Sequence, residues 1–397
     1  MAPGSSTVSQ RIIAPVGAKR LLCLDGGGVR GISSLMILDA IMKEVARIED
    51  QPKDCPTPLP HEYFDLAGGT STGGLAALMM FRLKLSTATT MGHYDNMSRK
   101  IFSPSLGPLN LDSFGRLGFW AGKGILNLKA FLLPARFSAV PLERAIREVV
   151  GDTVKINAEQ VNTLTLIEQS EGPKMLMCST LADKGETILF RSYEPPADVI
   201  PTTRDVRDAD FSDITIIEAA RATSAAPTYL PEMVITRAVP PKPEPVSFRF
   251  WDGGLLNNNP IDQVWDARLD LASDITETPV VSCVVSIGTS WSDPKPKQGW
   301  IFGRFVNTLS ETVSFATNTE AKHRDFERRN KRRNVRLPEN ERTAYFRFNA
   351  PTGNQVFGLD DWQSMPKLKD LTAQYLADPD TKAKITECAQ VLARSGS

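Results

Sequence analysis

The residues of this chain with the plainest chemical reading are Gly69-Thr70-Ser71-Thr72-Gly73. A short apolar run, Tyr63-Phe64-Asp65-Leu66-Ala67, leads into them, and a helix-forming run, Leu75-Ala76-Ala77-Leu78-Met79-Met80, follows. Gly-x-Ser-x-Gly between a strand and a helix is the spacing of a nucleophile elbow. The turn is too sharp to admit side chains beside the strand and helix it joins, which is why glycine stands two residues to either side. Ser71 would then project its hydroxyl at the positive end of a helix dipole, where an oxyanion is stabilised. The chemistry would be attack on a carbonyl. A glycine-rich turn with an incidental serine is spelled the same way, so the rest of the chain must decide.

Two more glycine-rich turns follow strand-like runs: Asp25-Gly26-Gly27-Gly28-Val29-Arg30-Gly31 and Asp252-Gly253-Gly254. Gly26, Gly27 and Gly28 present successive backbone N–H groups with no side chains in the way, a nest suited to the oxygen of a tetrahedral intermediate. Arg30 adds a positive charge, for that oxygen, for a substrate phosphate, or for a structural pairing with a nearby acid. Gly26-x-Gly28-x-x-Gly31 also spells a dinucleotide fingerprint, but no strand ending in an acid follows about twenty residues on. A P-loop is excluded, since no Gly-Lys-Ser/Thr follows. Ser71 needs a base, and the chain has only His61, His93 and His323. A triad in the order Ser, acid, His would have to use His93, beside Tyr94 and Asp95, or His323, within a run of arginines and lysines. Asp252 is the better candidate, because the two glycines after it let its backbone approach the nucleophile and a half-buried carboxylate can act as base. Its alternative is a turn or helix-cap aspartate.

These residues must be positioned by the elements around them. Lys19 to Leu24 reads as a buried strand, and Leu35, Ile37, Leu38, Ile41, Met42 and Val45 recur at helical spacing after it. Val140-Pro141-Leu142-Glu143 starts a helix. Lys174 to Thr180, Thr187 to Tyr193 and Phe248 to Trp251 read as strands, and Ile214 to Ala222 as a helix. Asn257-Asn258-Asn259-Pro260 opens a further helix. Pro279 to Gly288 has the valine-rich, continuously apolar character of a central parallel strand. From Trp300 the pattern is mainly helical, with a basic stretch from Lys322 to Arg336, one strand at Ala344 to Phe348 and two terminal helices. Residues 103–134 are irregular and apolar, either an interfacial flap that meets lipid or a loop folded onto the body. Strands alternating with helices predict an α/β fold, a mostly parallel sheet between helical layers. The carboxyl ends of parallel strands share one edge, so the three turns can meet there.

Lys+Arg and Asp+Glu are equal at 46 each, so global charge argues for neither nucleic acid nor a polyanionic partner. The basic stretch contains Asp325 and Glu327 and reads as a solvated face or a site for anionic lipid headgroups rather than for nucleic acid. Five scattered cysteines, three within apolar runs, suggest reduced thiols in a cytoplasmic protein. No secretory signal is visible before Arg20, no apolar run is long enough to span a bilayer, and no carboxylate cluster has calcium-loop spacing. No metal or cofactor is expected.

With these motifs assembled, the chain resembles the patatin-like phospholipase family. Asp25 to Gly31, Gly69 to Gly73, Ala222 to Tyr229, Asp252-Gly253-Gly254 and Asn258-Asn259-Pro260 stand in the family's order and approximate spacing. The resemblance covers roughly residues 20–290, and the region beyond about Trp291 is similar to extensions of fungal members. It implies a three-layer α/β/α fold with extra C-terminal helices, and a serine lipid acyl hydrolase of the phospholipase A or lysophospholipase type. It further implies a Ser71–Asp252 dyad without histidine, an acyl-enzyme intermediate, and an oxyanion hole from Gly26, Gly27 and Gly28 with the amide of Thr72. The expected organisation is a flexible tail at 1–18, a catalytic domain at 19–290 and a helical extension at 291–397 packed on the same domain. The expected partner is a lipid, met at a membrane surface. The rival readings are an α/β-hydrolase esterase with a Ser–His–Asp triad and a non-catalytic lipid-binding protein.

Overall fold

The computed structural model describes residues 15, 17–52, 55–103, 105–106, 109–110, 135–168, 172–195, 211–239, 243–274, 276–292 and 319–393. The expectation of a flexible tail therefore lies mostly outside the described residues. So does the choice between flap and folded loop at 103–134, where only the short pair β3 (Ser105–Leu106) and β4 (Leu109–Asn110) is described.

The fold starts from strands that are apolar on both faces. In β1 (Lys19–Leu24), Leu22 and Leu24 enter one core while Leu21 and Cys23 enter another, and all four are buried. Alternation with period two and no polar face requires cover on both sides of the sheet. On the first side α1 (Gly31–Ile48) buries Leu35, Ile37, Leu38, Ile41, Met42 and Val45. It is joined there by α2 (Thr72–Ala77), α3 (Thr87–Phe102), α4 (Val140–Val154) and α6 (Ile216–Thr223), the small α5 (Ala158–Thr163) intervening in sequence. On the second side lie α8 (Ile261–Asp266), which follows the one-turn α7 (Gly254–Asn257), and α9 (Thr319–Asn334), whose Phe326 packs against that core. Helix on sheet on helix is the result.

The remaining strands are β2 (Leu66–Thr70), β5 (Lys174–Leu181), β6 (Glu186–Arg191), β7 (Met233–Arg237), β8 (Val246–Asp252), β9 (Val281–Ile287) and β10 (Ala344–Phe348). Their order is β10-β9-β1-β2-β5-β8-β7, with β6 also paired to β5. The first five are mutually parallel, and β9 is buried along its whole length. The other end of the sheet is antiparallel: β6 and β8 both run against β5, and β7 against β8. β7 is absent from the sequence-based reading, because this edge strand mixes exposed and buried positions in too short a run to give a period.

The antiparallel end corrects one expectation. The three glycine turns do come together, but not because three parallel strands share an edge. β5 pairs with β6 along residues 176–181, which occupies one of its edges. Its other edge takes Leu66–Thr70 of β2 opposite Lys174–Cys178, and then Asp252–Phe250 of β8 opposite Ser179–Leu181. β2 and β8 therefore approach head-on along the same side of β5 and stop beside each other. The long strand β5 is the rail on which both run.

The chain beyond residue 319 belongs to the same sheet through β10, parallel to β9. α10 (Met365–Ala377) and α11 (Pro379–Leu392) then return over α1, where Leu368, Ile385, Cys388 and Leu392 complete the first core. Thr372 Oγ1 meets Ser33 Oγ at 2.9 Å on this contact.

Candidate active site

Ser71 lies between the last residue of β2 and the first of α2, at φ 53° and ψ −124°. A non-glycine residue at positive φ outside the usual left-handed well stores strain, of order 1–3 kcal/mol, and persists only where its surroundings dictate it. Here they do. A Cβ on Gly69 would overlap the Gly73 carbonyl, and one on Gly73 would overlap the carbonyl of Leu24, so both flanking glycines are sterically required. The Ser71 N–H donates to Thr223 Oγ1 at 2.9 Å, and Thr223 Oγ1 donates to the Cys178 carbonyl at 2.6 Å, tying the elbow to β5 through α6. Thr70 Oγ1 donates to the Asn257 carbonyl at 2.6 Å, which ties it to the segment after β8.

Asp252 ends β8 at this point, 7% exposed. Its N–H donates to the Ala225 carbonyl at 2.9 Å and its carbonyl accepts from Thr180 Oγ1 at 3.1 Å, so its backbone is held from two sides. Oδ1 accepts from the Gly254 N–H at 2.7 Å. Burial pushes the carboxyl up to about 6, against hydrogen bonds from the Gly254 amide and the Ser71 side chain, both of which favour the charged form. A carboxyl at that value, touching a serine hydroxyl, is matched to accept a proton near neutral pH. A Cβ on Gly253 would overlap the Cys178 carbonyl, and one on Gly254 would crowd the Asp252 carboxylate at 3.0 Å, so both motif glycines serve close packing on β5 and the acid.

The loop after β1 passes beside the serine: a Cβ on Gly26 would stand 3.3 Å from Ser71 Cβ. The Gly26 N–H is already committed, to the Asn258 carbonyl at 2.9 Å, and its carbonyl accepts from Asn258 Nδ2 and Thr289 Oγ1. Gly26 is thus a corner that admits Asn258, which corrects its place among the oxyanion donors. The N–H groups of Gly27 and Gly28 find no acceptor among the described residues, and the Thr72 amide begins α2 with none inside the helix. Gly28, at φ +56°, leaves its carbonyl to the Tyr94 hydroxyl. Gly31 packs against that same tyrosine. Arg30 Nε donates to the Gly27 carbonyl at 3.3 Å, and no carboxylate pairs with Arg30 among the described residues.

Among the described residues, no histidine hydrogen-bonds to Ser71 or Asp252. His323 Nδ1 is 3.0 Å from Tyr345 Oη, and burial lowers its pKa. His93 lies on α3, and His61 precedes β2. Nor do three His, Cys, Asp or Glu side chains converge anywhere among the described residues in the manner of a metal site. Sequence reasoning missed Thr223 and Asn258 as supports, although both stand in motif segments. It also missed Thr289 and Tyr94, which carry no motif.

The architecture is that of α/β proteins which present a serine on a strand-to-helix elbow, here with a carboxylate, not a histidine, beside the serine. Within that class the chain belongs to the patatin-like phospholipase family, whose sequence profile matches residues 22–265, more than half of its length. It is similar to Phospholipase A I of Arabidopsis thaliana, 25% identical over 86% of this chain and 25% of the relative. The 85/88 kDa calcium-independent phospholipase A2 of Rattus norvegicus is 28% identical over 70% of this chain and 28% of the relative. Patatin-like protein 1 of Oryza sativa subsp. indica is 29% identical over 64% and 52%. The chain spans about a quarter of the length of the first two.

Proposed function

We propose that this protein is a serine lipid acyl hydrolase of the phospholipase A or lysophospholipase type, with Ser71 and Asp252 as a dyad that needs no histidine. The observation that carries the reading is the contact of the strained Ser71 elbow with a buried carboxyl poised near 6. Asp252 takes the hydroxyl proton as Ser71 Oγ attacks a fatty-acyl ester carbonyl. The Gly27 and Gly28 amides, with that of Thr72, hold the resulting oxyanion. The tetrahedral intermediate collapses, Asp252 returns the proton to the departing alcohol or lysolipid, and an acyl-serine remains. Water, deprotonated by the same carboxylate, then releases the fatty acid and restores Ser71.

The phospholipase names of the relatives support a lipid as acyl donor. Transient contact with a membrane surface is supported by Leu256 and Trp291, large apolar side chains exposed just past the ends of β8 and β9. No helix among the described residues is long and apolar enough to cross a membrane. A reducing compartment such as the cytoplasm suits the five free cysteines. The test is hydrolysis of a phospholipid and lysolipid panel by the wild type and by Ser71→Ala. The substitution should abolish fatty-acid release and fluorophosphonate labelling with the fold intact by circular dichroism. Turnover surviving in the folded variant refutes the assignment.

A further inference from the structure

The loop that carries the free amides is gripped by a part of the chain that lies beyond the family match. Arg347, on β10, reaches past the neighbouring β9 to Asp25, the residue that ends β1 and opens the glycine loop. Its Nη1 lies 2.9 Å from Asp25 Oδ1 and its Nη2 2.6 Å from Oδ2, a two-pronged pair. On the way Nη1 donates to Ser286 Oγ of β9 at 2.9 Å. Glu320, at the start of α9, accepts from Nε at 3.2 Å and Nη2 at 2.8 Å, and is itself held by Asn349 Nδ2 at 2.8 Å. The Arg347 and Asp25 side chains are 3% and 1% exposed. A second grip lies four residues along the loop, at Val29. The Leu359 carbonyl accepts the Val29 N–H at 2.9 Å and sits where a Cβ on Gly28 would be.

Stability alone gives no reason to keep this arrangement. Desolvating two charges cancels much of their attraction, and well-packed apolar residues commonly stabilise such a position as well or better. What the pair does supply is direction. Both carboxylate oxygens of Asp25 are fixed in a plane set by the guanidinium, one residue before the turn that aims the amides of Gly27 and Gly28.

We propose that Arg347 is a positioning residue for ester hydrolysis: through Asp25 it fixes the aim of the Gly27 and Gly28 amides, so that β10 completes the active site. This rests on the Ser71–Asp252 reading above. Arg347→Lys keeps the charge but loses the fork, and the triple variant Asp25→Asn/Glu320→Gln/Arg347→Gln removes all three charges of the cluster and leaves none of them unpaired. The full-length chain is assayed with p-nitrophenyl butyrate for kcat, KM and pH dependence, alongside thermal melting.

The expected result is a fall in kcat of about tenfold or more in both variants, since donors must meet the oxyanion at hydrogen-bonding distance to act. KM should stay within about twofold, because the ground-state ester does not use the hole fully, and the inflection of the pH profile should not move. Full kcat in either folded variant overturns the proposal. So does a loss of kcat that only tracks the folded fraction, a displaced inflection, or failure of both variants to fold, each of which makes the pair merely structural. Ser71→Ala is run beside them. Turnover surviving there strikes down the dyad and this role together, whereas an inert Ser71→Ala beside a fully active Arg347→Lys strikes down this inference alone.

Discussion

Asp252→Asn should yield a protein that is more stable than the wild type at neutral pH and catalytically inert. Burial displaces this carboxyl to about 6, roughly two units above its unfolded-state value, which corresponds to about 3 kcal/mol. Because the folded pKa of an acid is raised, the folded state holds the proton more tightly than the unfolded chain. The penalty is absent below about pH 4, grows as the pH rises from about 4 to 6, and is complete above that range. Asparagine is nearly isosteric. Its Oδ1 can still accept from the Gly254 N–H and its Nδ2 can donate to Ser71 Oγ, so the site stays satisfied. Weaker neutral hydrogen bonds give back part of the gain, leaving about 1–3 kcal/mol, or roughly 1–4 °C of melting temperature in a chain of this size. The assay is thermal melting of wild type and variant at pH 7.5 and pH 4, with esterase turnover at pH 7.5. The stabilisation should appear at pH 7.5 and vanish at pH 4, and kcat/KM should fall by about a thousandfold, within the range of a lost general base. A variant destabilised equally at both pH values, or one that keeps its turnover, refutes the reasoning.

The kcat/KM of the wild type should rise with pH on a single-proton slope with its midpoint near 6, leaving about a tenth of the plateau at pH 5; a profile flat from about pH 5 to 8 contradicts it. His93→Ala and His323→Gln should each retain kcat within about twofold, since neither ring reaches the dyad. A loss of a hundredfold in either would restore the triad. Gly28→Ala meets both a positive φ and the Leu359 carbonyl. It should lose about a hundredfold in kcat and about 2 kcal/mol or more of stability by denaturant titration; a neutral effect on both would mean the loop is not held as described.

What could be read from the amino-acid sequence was what local sterics and periodicity dictate. The elbow is legible because Gly-x-Ser-x-Gly is a local spelling, and at Gly69 the steric demand, from the Gly73 carbonyl, arises within five residues, although the demand on Gly73 comes from the Leu24 carbonyl. β1 and β9 are legible as continuous apolar runs of strand length, and α1 because its apolar positions recur at helical spacing. The route by which Asp252 reaches Ser71 was not. The parallel-edge rule placed the three turns together for the wrong reason, since β8 runs against β5 rather than with it. Strand direction is a property of pairing, and Val246–Asp252 carries no mark of it. Gly26 reads as a hydrogen-bond donor in the sequence, yet its amide is committed to Asn258, 232 residues away. Arg347 is the extreme case. It sits 322 residues from Asp25 in a short strand whose pattern announces only a strand.

The two features on which the proposed chemistry rests are both unfavourable to folding, and that explains where the supporting residues come from. A serine at φ 53° and a carboxyl pushed to about 6 together cost several kcal/mol, a large share of the stability of an ordinary domain. Neither can be held by its own segment: the Ser71 backbone bonds to Thr223, and Asp252 is held by Ala225 and Thr180. Thr180 lies on β5 and Thr223 bonds to its Cys178 carbonyl, and that strand pairs on both edges and is buried from Met175 to Leu181. The strain is therefore carried through a buried strand paired on both edges rather than by the loops that display the motifs. A transplanted Gly-x-Ser-x-Gly peptide would relax to negative φ and lose its nucleophile's aim, however faithfully its sequence were copied.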